Sequence, residues 1–185
     1  MEQPQGQAQE QEQEMTTEQL SELLQIRRDK LSALQAAGDD PYRHTTWDVT
    51  HFSTEVLAGF DALEGKEVSM SGRMMSRRVM GKASFAHIQD AKGRIQIYVK
   101  RDDVGEAAYA AFKTDDIGDI LGFRGTVFRT KTGETSIHCT NVTLLSKSLL
   151  PLPEKFHGLK DAEQRYRKRF VDLIVNPEVR DTFVK

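Results

Sequence analysis

The 185 residues predict a mainly β protein with flanking helices, and three observations carry that prediction. Hydropathy alternates with a period of two between Gly65 and Lys147, in segments near 66–79, 84–90, 94–100, 119–129 and 134–146. Strands with one buried face require such alternation. Turn residues separate the segments, and a helix-like insert, roughly Gly105 to Thr114, falls between the third and the fourth. Three strands, a helix and two strands on about 80 residues fit a five-stranded Greek-key barrel of the OB type. An SH3-like barrel is the competing topology, which usually lacks a helix at that point.

Taken in order, residues 1–14, MEQPQGQAQEQEQE, hold almost only Gln, Glu, Pro and Gly. They have too little apolar surface to offset the entropy of ordering, so a disordered tail is expected. An N-terminal helix and its connection occupy 15–64. Leu20, Leu23, Leu24, Arg27, Leu31 and Leu34 follow helical spacing, Thr16 and Gln19 suit a capping box, and Gly38 sits where a C-cap belongs. The result is an amphipathic helix of about two dozen residues whose exposed side offers Arg27, Arg28 and Lys30 to a phosphate backbone or to solvent. The barrel takes 65–147, and Pro151 and Pro153 mark a linker over 148–160. From Asp161 to Val175 a helix is expected with Tyr166, Phe170, Leu173 and Ile174 on one face, ended by Pro177, with a further helical turn after it. Phe183 and Val184 then lack a partner, so 161–185 reads as a truncated helical segment.

About 38% hydrophobic residues supply one real core. The lone Cys139 has no internal disulfide partner, no apolar run approaches the roughly 20 residues of a membrane span, and no signal-peptide pattern opens the chain. A cytosolic protein without a membrane partner is expected. The net charge of -2 conceals segregation. Gly65 to Arg101 carries nine Lys or Arg against Glu67 and Asp90, whereas Asp102 to Asp119 carries six acidic residues against Lys113. A polyanion-binding face and a solvated surface both fit this distribution.

In the second strand Phe85, His87 and Gln89 share the face opposite Ala86 and Ile88; in the third, Arg94, Gln96 and Tyr98 oppose Ile95, Ile97 and Val99. With the aliphatic sets inside, Phe85 and Tyr98 stand outside among Arg, Gln and His. An unstacked base gains about 1–3 kcal/mol on such an aromatic. Gln96 offers a donor and an acceptor to a base edge, and Arg77 or Arg78 offers charge. A bulge near Gly72 would exchange the faces of those two arginines. The loops expected to flank this surface are RRVMGK and RTKTGE.

The blocks GRMMSRRVMGKASFAHIQDAKGRIQIYVKRDD, DIGDILGFRGTVFRTKTGETSIHC, LLSKSL, PLPEKFHGL and RYRKRFVDLIVNPEVRDTF resemble, in order and at natural spacing, the lysyl-tRNA synthetases, class II and bacterial type. The resemblance covers nearly everything after the tail. It implies that the barrel reads the uridine-rich anticodon loop of tRNA-Lys. It places Phe85 where the central base stacks, Gln96 where its edge is read and Arg78 where an arginine supports that base, with Glu134 a candidate contact to a neighbouring base. It further implies that 161–185 begins the catalytic domain with the first class II motif, a helix used at the homodimer interface of the full synthetase. ATP and Mg²⁺ are expected for the full enzyme. No cofactor is expected here, because the second and third motifs, which hold them, are absent from this sequence, and the segment alone should not be catalytic.

The residues offer no independent chemistry: no P-loop, no GxGxxG and no zinc-type Cys/His spacing. Adjacent His138 and Cys139 point to opposite faces of a strand, and Cys139 reads as core. Two other functions remain open: an autonomous OB module binding single-stranded nucleic acid without anticodon preference, and an interaction fragment that associates through its C-terminal helix.

Overall fold

The computed structural model describes residues 17–152 and 162–184. The expected tail over 1–14, the Thr16 capping box and most of the 148–160 linker lie outside the described residues. Helix α1 spans Thr17–Ala36, and two short helices, α2 (Ser53–Ala58) and α3 (Phe60–Leu63), precede the barrel. The strands are β1 (Glu67–Met80), β2 (Ala83–Gln89), β3 (Arg94–Lys100), β4 (Ile120–Arg129) and β5 (Thr135–Ser146). Between β3 and β4 come α4 (Arg101–Val104) and α5 (Glu106–Thr114). Three helices close the described chain: α6 (Ala162–Arg167), α7 (Arg169–Val175) and α8 (Pro177–Val184).

The strands form a closed barrel in the order β1-β2-β3-β5-β4, with β1 bridging β2 and β4. Every pairing is antiparallel except β3 with β5. This is the five-stranded Greek key expected from the alternation, closed so that it leaves no open edge. Met70, Met74, Ile88, Ile97, Val99, Leu121, Phe123 and Ile137 fill the interior, and Cys139 is buried among them. Helix α5 contributes Tyr109 and Phe112, while α2 and α3 contribute Val56 and Phe60. The Tyr109 hydroxyl is satisfied by Ser84 Oγ at 2.9 Å and the Gly81 carbonyl at 3.0 Å, as a buried phenol requires.

Helix α1 docks differently from the expectation. Arg27 is not on an exposed side: it is buried, donating to the carbonyls of Ser148 (2.7 Å), Leu150 (3.3 Å) and Ile117 (3.0 Å). The guanidinium fork reaches three carbonyls that lie just outside strands β4 and β5. One turn along, Lys30 binds Asp116 at 2.6 Å. Asp116 and Asp119 both receive the ammonium of Lys147, the latter at 2.6 Å, and Asp119 also accepts from the Ser148 amide at 2.7 Å. Much of the acidic segment is therefore consumed internally.

The C-terminal helix is broken rather than continuous to Val175. Lys168 adopts φ −117° and ψ 50°, which re-aims α7. Val171 and Asp172 turn inward, while Tyr166 and Phe170 stay exposed. Asp172 accepts from Asn176 at 2.6 Å, Arg165 at 3.1 Å and Arg169 at 3.3 Å. A carboxylate with three such donors is stable where an isolated one would not be.

Candidate nucleic-acid interface

Phe85 pairs with Tyr98 across β2 and β3, and His87 with Gln96. Because Ala86, Ile95, Ile97 and Val99 turn into the barrel, the alternate residues meet on its outer side. The Phe85 and Tyr98 rings lie 4.9 Å apart at 42°. Tyr98 also meets His138 at 5.1 Å and Phe128 at 6.2 Å, both edge-on, so an aromatic strip crosses four strands. A hollow of about 850 Å³ opens on this strip, floored by Phe85, Tyr98 and Phe128 and walled by Arg78, His87, Gln96, Lys131 and Glu134. Apolar floor and convergent polar walls are the general character of a binding site.

A chain of hydrogen bonds links the walls. Glu134 Oε2 accepts from Gln96 Nε2 at 2.7 Å, and its Oε1 lies 3.1 Å from His87 Nε2. His87 Nδ1 is 3.0 Å from Ser76 Oγ, and Ser136 Oγ donates to Gln96 Oε1 at 2.8 Å. Ser136 stands beside Gln96 because β3 and β5 run parallel in that register. The β4–β5 turn holds Glu134 in place: Thr130 N donates to the Glu134 carbonyl at 2.9 Å and Glu134 N to Thr130 Oγ1 at 3.0 Å. That turn needs Gly133, whose φ of +89° a side chain would disfavour.

Of the six residues singled out in the sequence, Phe85, Gln96, Arg78, His87 and Glu134 gather with their side chains on this hollow. Arg77 borders it too, but its guanidinium donates to the carbonyls of Phe112 and Asp115, both at 2.7 Å, and lies 5.8 Å over the Phe112 ring. It secures the end of α5. A bulge between Met74 and Ser76 sets this phase, placing Arg78 opposite Phe85 and Arg77 opposite the core residue Ala86. The expected loop RRVMGK is strand as far as Met80, so both arginines are strand residues and the turn is only Gly81–Lys82.

Sequence reasoning missed Phe128, Ser76 and Ser136. Phe128 alternates with buried Val127, a signal that was present; the two serines acquire meaning only from the register. Mg²⁺ does not fit these residues. Among the described residues no group of three or more His, Cys, Asp or Glu could hold a metal ion, and Asp116 and Asp119 are already neutralised by lysines.

The tRNA anti-codon family, described as an OB-fold nucleic acid binding domain, matches residues 68–145. The chain is 55% identical over 169 residues to a lysine–tRNA ligase of Thermoanaerobacter sp., covering 91% of this chain and 34% of that protein. A lysine–tRNA ligase of Clostridium botulinum is 55% identical over 168 residues and one of Clostridium tetani 54%, again over 91% of this chain. The chain thus spans about a third of the length of the curated relatives it matches.

Proposed function

This chain being a homologue of the N-terminal, OB-fold region of lysine–tRNA ligases, we propose that its barrel binds the anticodon loop of a lysine tRNA across β2 and β3. The central anticodon base stacks on Phe85, its edge meets Gln96, and Arg78 supports it from β1. His87, Glu134 and Lys131 stand where neighbouring nucleotides pass. The observation that carries this reading is the hollow itself, an aromatic floor with amide, carboxylate and guanidinium groups converging on it. A flat basic patch would bind phosphate without discriminating bases.

For the longer protein to which such a region corresponds, we propose the cytoplasmic ligation of lysine to tRNA with ATP and Mg²⁺, carried out by a catalytic domain that the described residues do not supply. Exposed Tyr166, Phe170 and Phe183, with Arg169 over the rings of Tyr166 (5.1 Å) and Phe183 (5.3 Å), favour a homodimer contact through the C-terminal helices.

The deciding experiment is binding of the 185-residue chain to a lysine anticodon stem-loop and to one with its central uridine replaced, at one fixed salt concentration. Preference for the native loop is expected, with Phe85→Ala weakening binding by about 1–3 kcal/mol. Equal binding to both loops and to unrelated oligonucleotides would leave a sequence-tolerant single-strand module.

A further inference from the structure

His87, Glu134 and Gln96 are linked by hydrogen bonds on the wall of the hollow, and a single residue among them fixes which atoms donate. An ionised carboxylate can only accept. Glu134 therefore requires that the Gln96 atom 2.7 Å from its Oε2 be the amide nitrogen, and that His87 carry its proton on Nε2. On the other side of the ring, His87 Nδ1 meets Ser76 Oγ at 3.0 Å. Ser136, by contrast, imposes nothing on Gln96. Its hydroxyl donates to Oε1 at 2.8 Å in the observed orientation, but a hydroxyl accepts equally well, so a rotated amide could bond to it through nitrogen. Gln96 is almost wholly buried, so solvent cannot compensate an amide turned the wrong way.

This matters because the two pyrimidines differ by the same exchange. Uracil presents a carbonyl at C4 and a proton on N3; cytosine presents an amino group at C4 and a bare N3. An amide edge fits uracil with its nitrogen at C4 and its oxygen at N3, and rotation by half a turn fits it to cytosine instead. A glutamine whose orientation were unconstrained would accept both bases. We infer that Glu134 is a specificity-determining positioning residue, which locks the Gln96 amide in one orientation and thereby makes the site discriminate uracil from cytosine. The inference rests on the anticodon-loop reading above and adds to it the origin of the discrimination. Rotating the amide against Glu134 would set two acceptors face to face at hydrogen-bond distance, losing a charge-assisted bond as well.

The test uses the full 185-residue chain and two anticodon stem-loops that differ only by uridine or cytidine at the central position. Glu134→Gln preserves size but can donate or accept, so it releases the amide. The expected result is a uridine preference reduced by about tenfold, chiefly because the cytidine loop binds better. In a Gln96→Ala background the same Glu134→Gln change should alter the ratio no further, and Ser136→Ala alone should keep most of the preference. A wild-type preference abolished by Gln96→Ala but untouched by Glu134→Gln would overturn this inference alone. So would a Glu134→Gln loss equal for both loops, or one that persists undiminished in the Gln96→Ala background, since either marks a direct or merely structural role. A wild-type chain indifferent to the two loops would overturn the anticodon reading together with it.

Discussion

The outer face of β2 and β3 and the junction under α1 use the same residue types for opposite ends. At the junction, Arg27 and Lys147 are buried and meet carbonyls and carboxylates from distant parts of the chain, so each charge is spent on holding the fold. On the outer face, Arg78, His87 and Glu134 remain partly exposed around an apolar floor. Burial decides which role a charge plays. A charge enclosed with its partner leaves little field for a ligand, whereas one at a rim keeps reach and pays little desolvation when an anion arrives. Arg77 and Arg78 compress the contrast into adjacent positions, one committed to the end of α5 and the other facing the hollow.

The largest expected effect comes from Lys147→Ala, which leaves Asp119 fully buried without its cation. A loss of about 3–5 kcal/mol in urea unfolding is predicted. A loss under about 1 kcal/mol would mean that the junction does not depend on this ion pair.

Next in size is a pH effect at Asp115. Burial, reinforced by Asp119, pushes its carboxyl up to about 7, so it resists ionising in the folded chain. Its contribution to stability is complete below the unfolded value near 4 and drains away as pH rises to about 7. Asp115→Asn should therefore stabilise the protein by about 1–3 kcal/mol near pH 8 and leave it unchanged near pH 4. Asp116 runs the other way. Burial raises it, but hydrogen bonds from Lys147 and Lys30 prevail and hold it below the usual carboxylate range. The stability it lends is present above the unfolded value and is lost as pH falls through the folded one. Thermal melts of wild type and Asp115→Asn across this range separate the two, because only the neutral-side loss should disappear in the variant.

The smallest effects sharpen the contrast between the neighbouring arginines. Arg77→Gln should cost about 1–2 kcal/mol of stability with stem-loop affinity retained by the folded chain. Arg78→Gln should leave the melting temperature in place, weaken binding and make its salt dependence shallower by about one unit of slope. Identical behaviour of the two variants would mean that the bulge does not divide their roles.

The barrel was legible because each strand has one face in the core, and a period of two survives in the sequence wherever that holds. Phe85, Gln96 and Tyr98 followed from the same alternation. Arg27 was not legible: an arginine on a helix defaults to solvent, and the carbonyls that bury it come from Ile117, Ser148 and Leu150, far along the chain. The division between Arg77 and Arg78 depends on a bulge that composition does not announce. The break at Lys168 was hidden as well, since an apolar helical stripe runs through it and the pull of Arg165, Arg169 and Asn176 on Asp172 appears only in three dimensions. The bond from Gln96 to Glu134 needed the parallel β3–β5 register, which no local pattern encodes.

That parallel pairing bears on how the chain is made. Gln96 and its neighbour Ser136 are 40 residues apart. A ribosome adding roughly 5–20 residues per second takes about 2–8 seconds to cover that interval. The β2–β3 hairpin can form early, yet until β5 emerges the outer edge of β3 remains unpaired and available to other strands. A nascent chain would carry Gln96 for those seconds before it had Glu134, the carboxylate to which its amide donates.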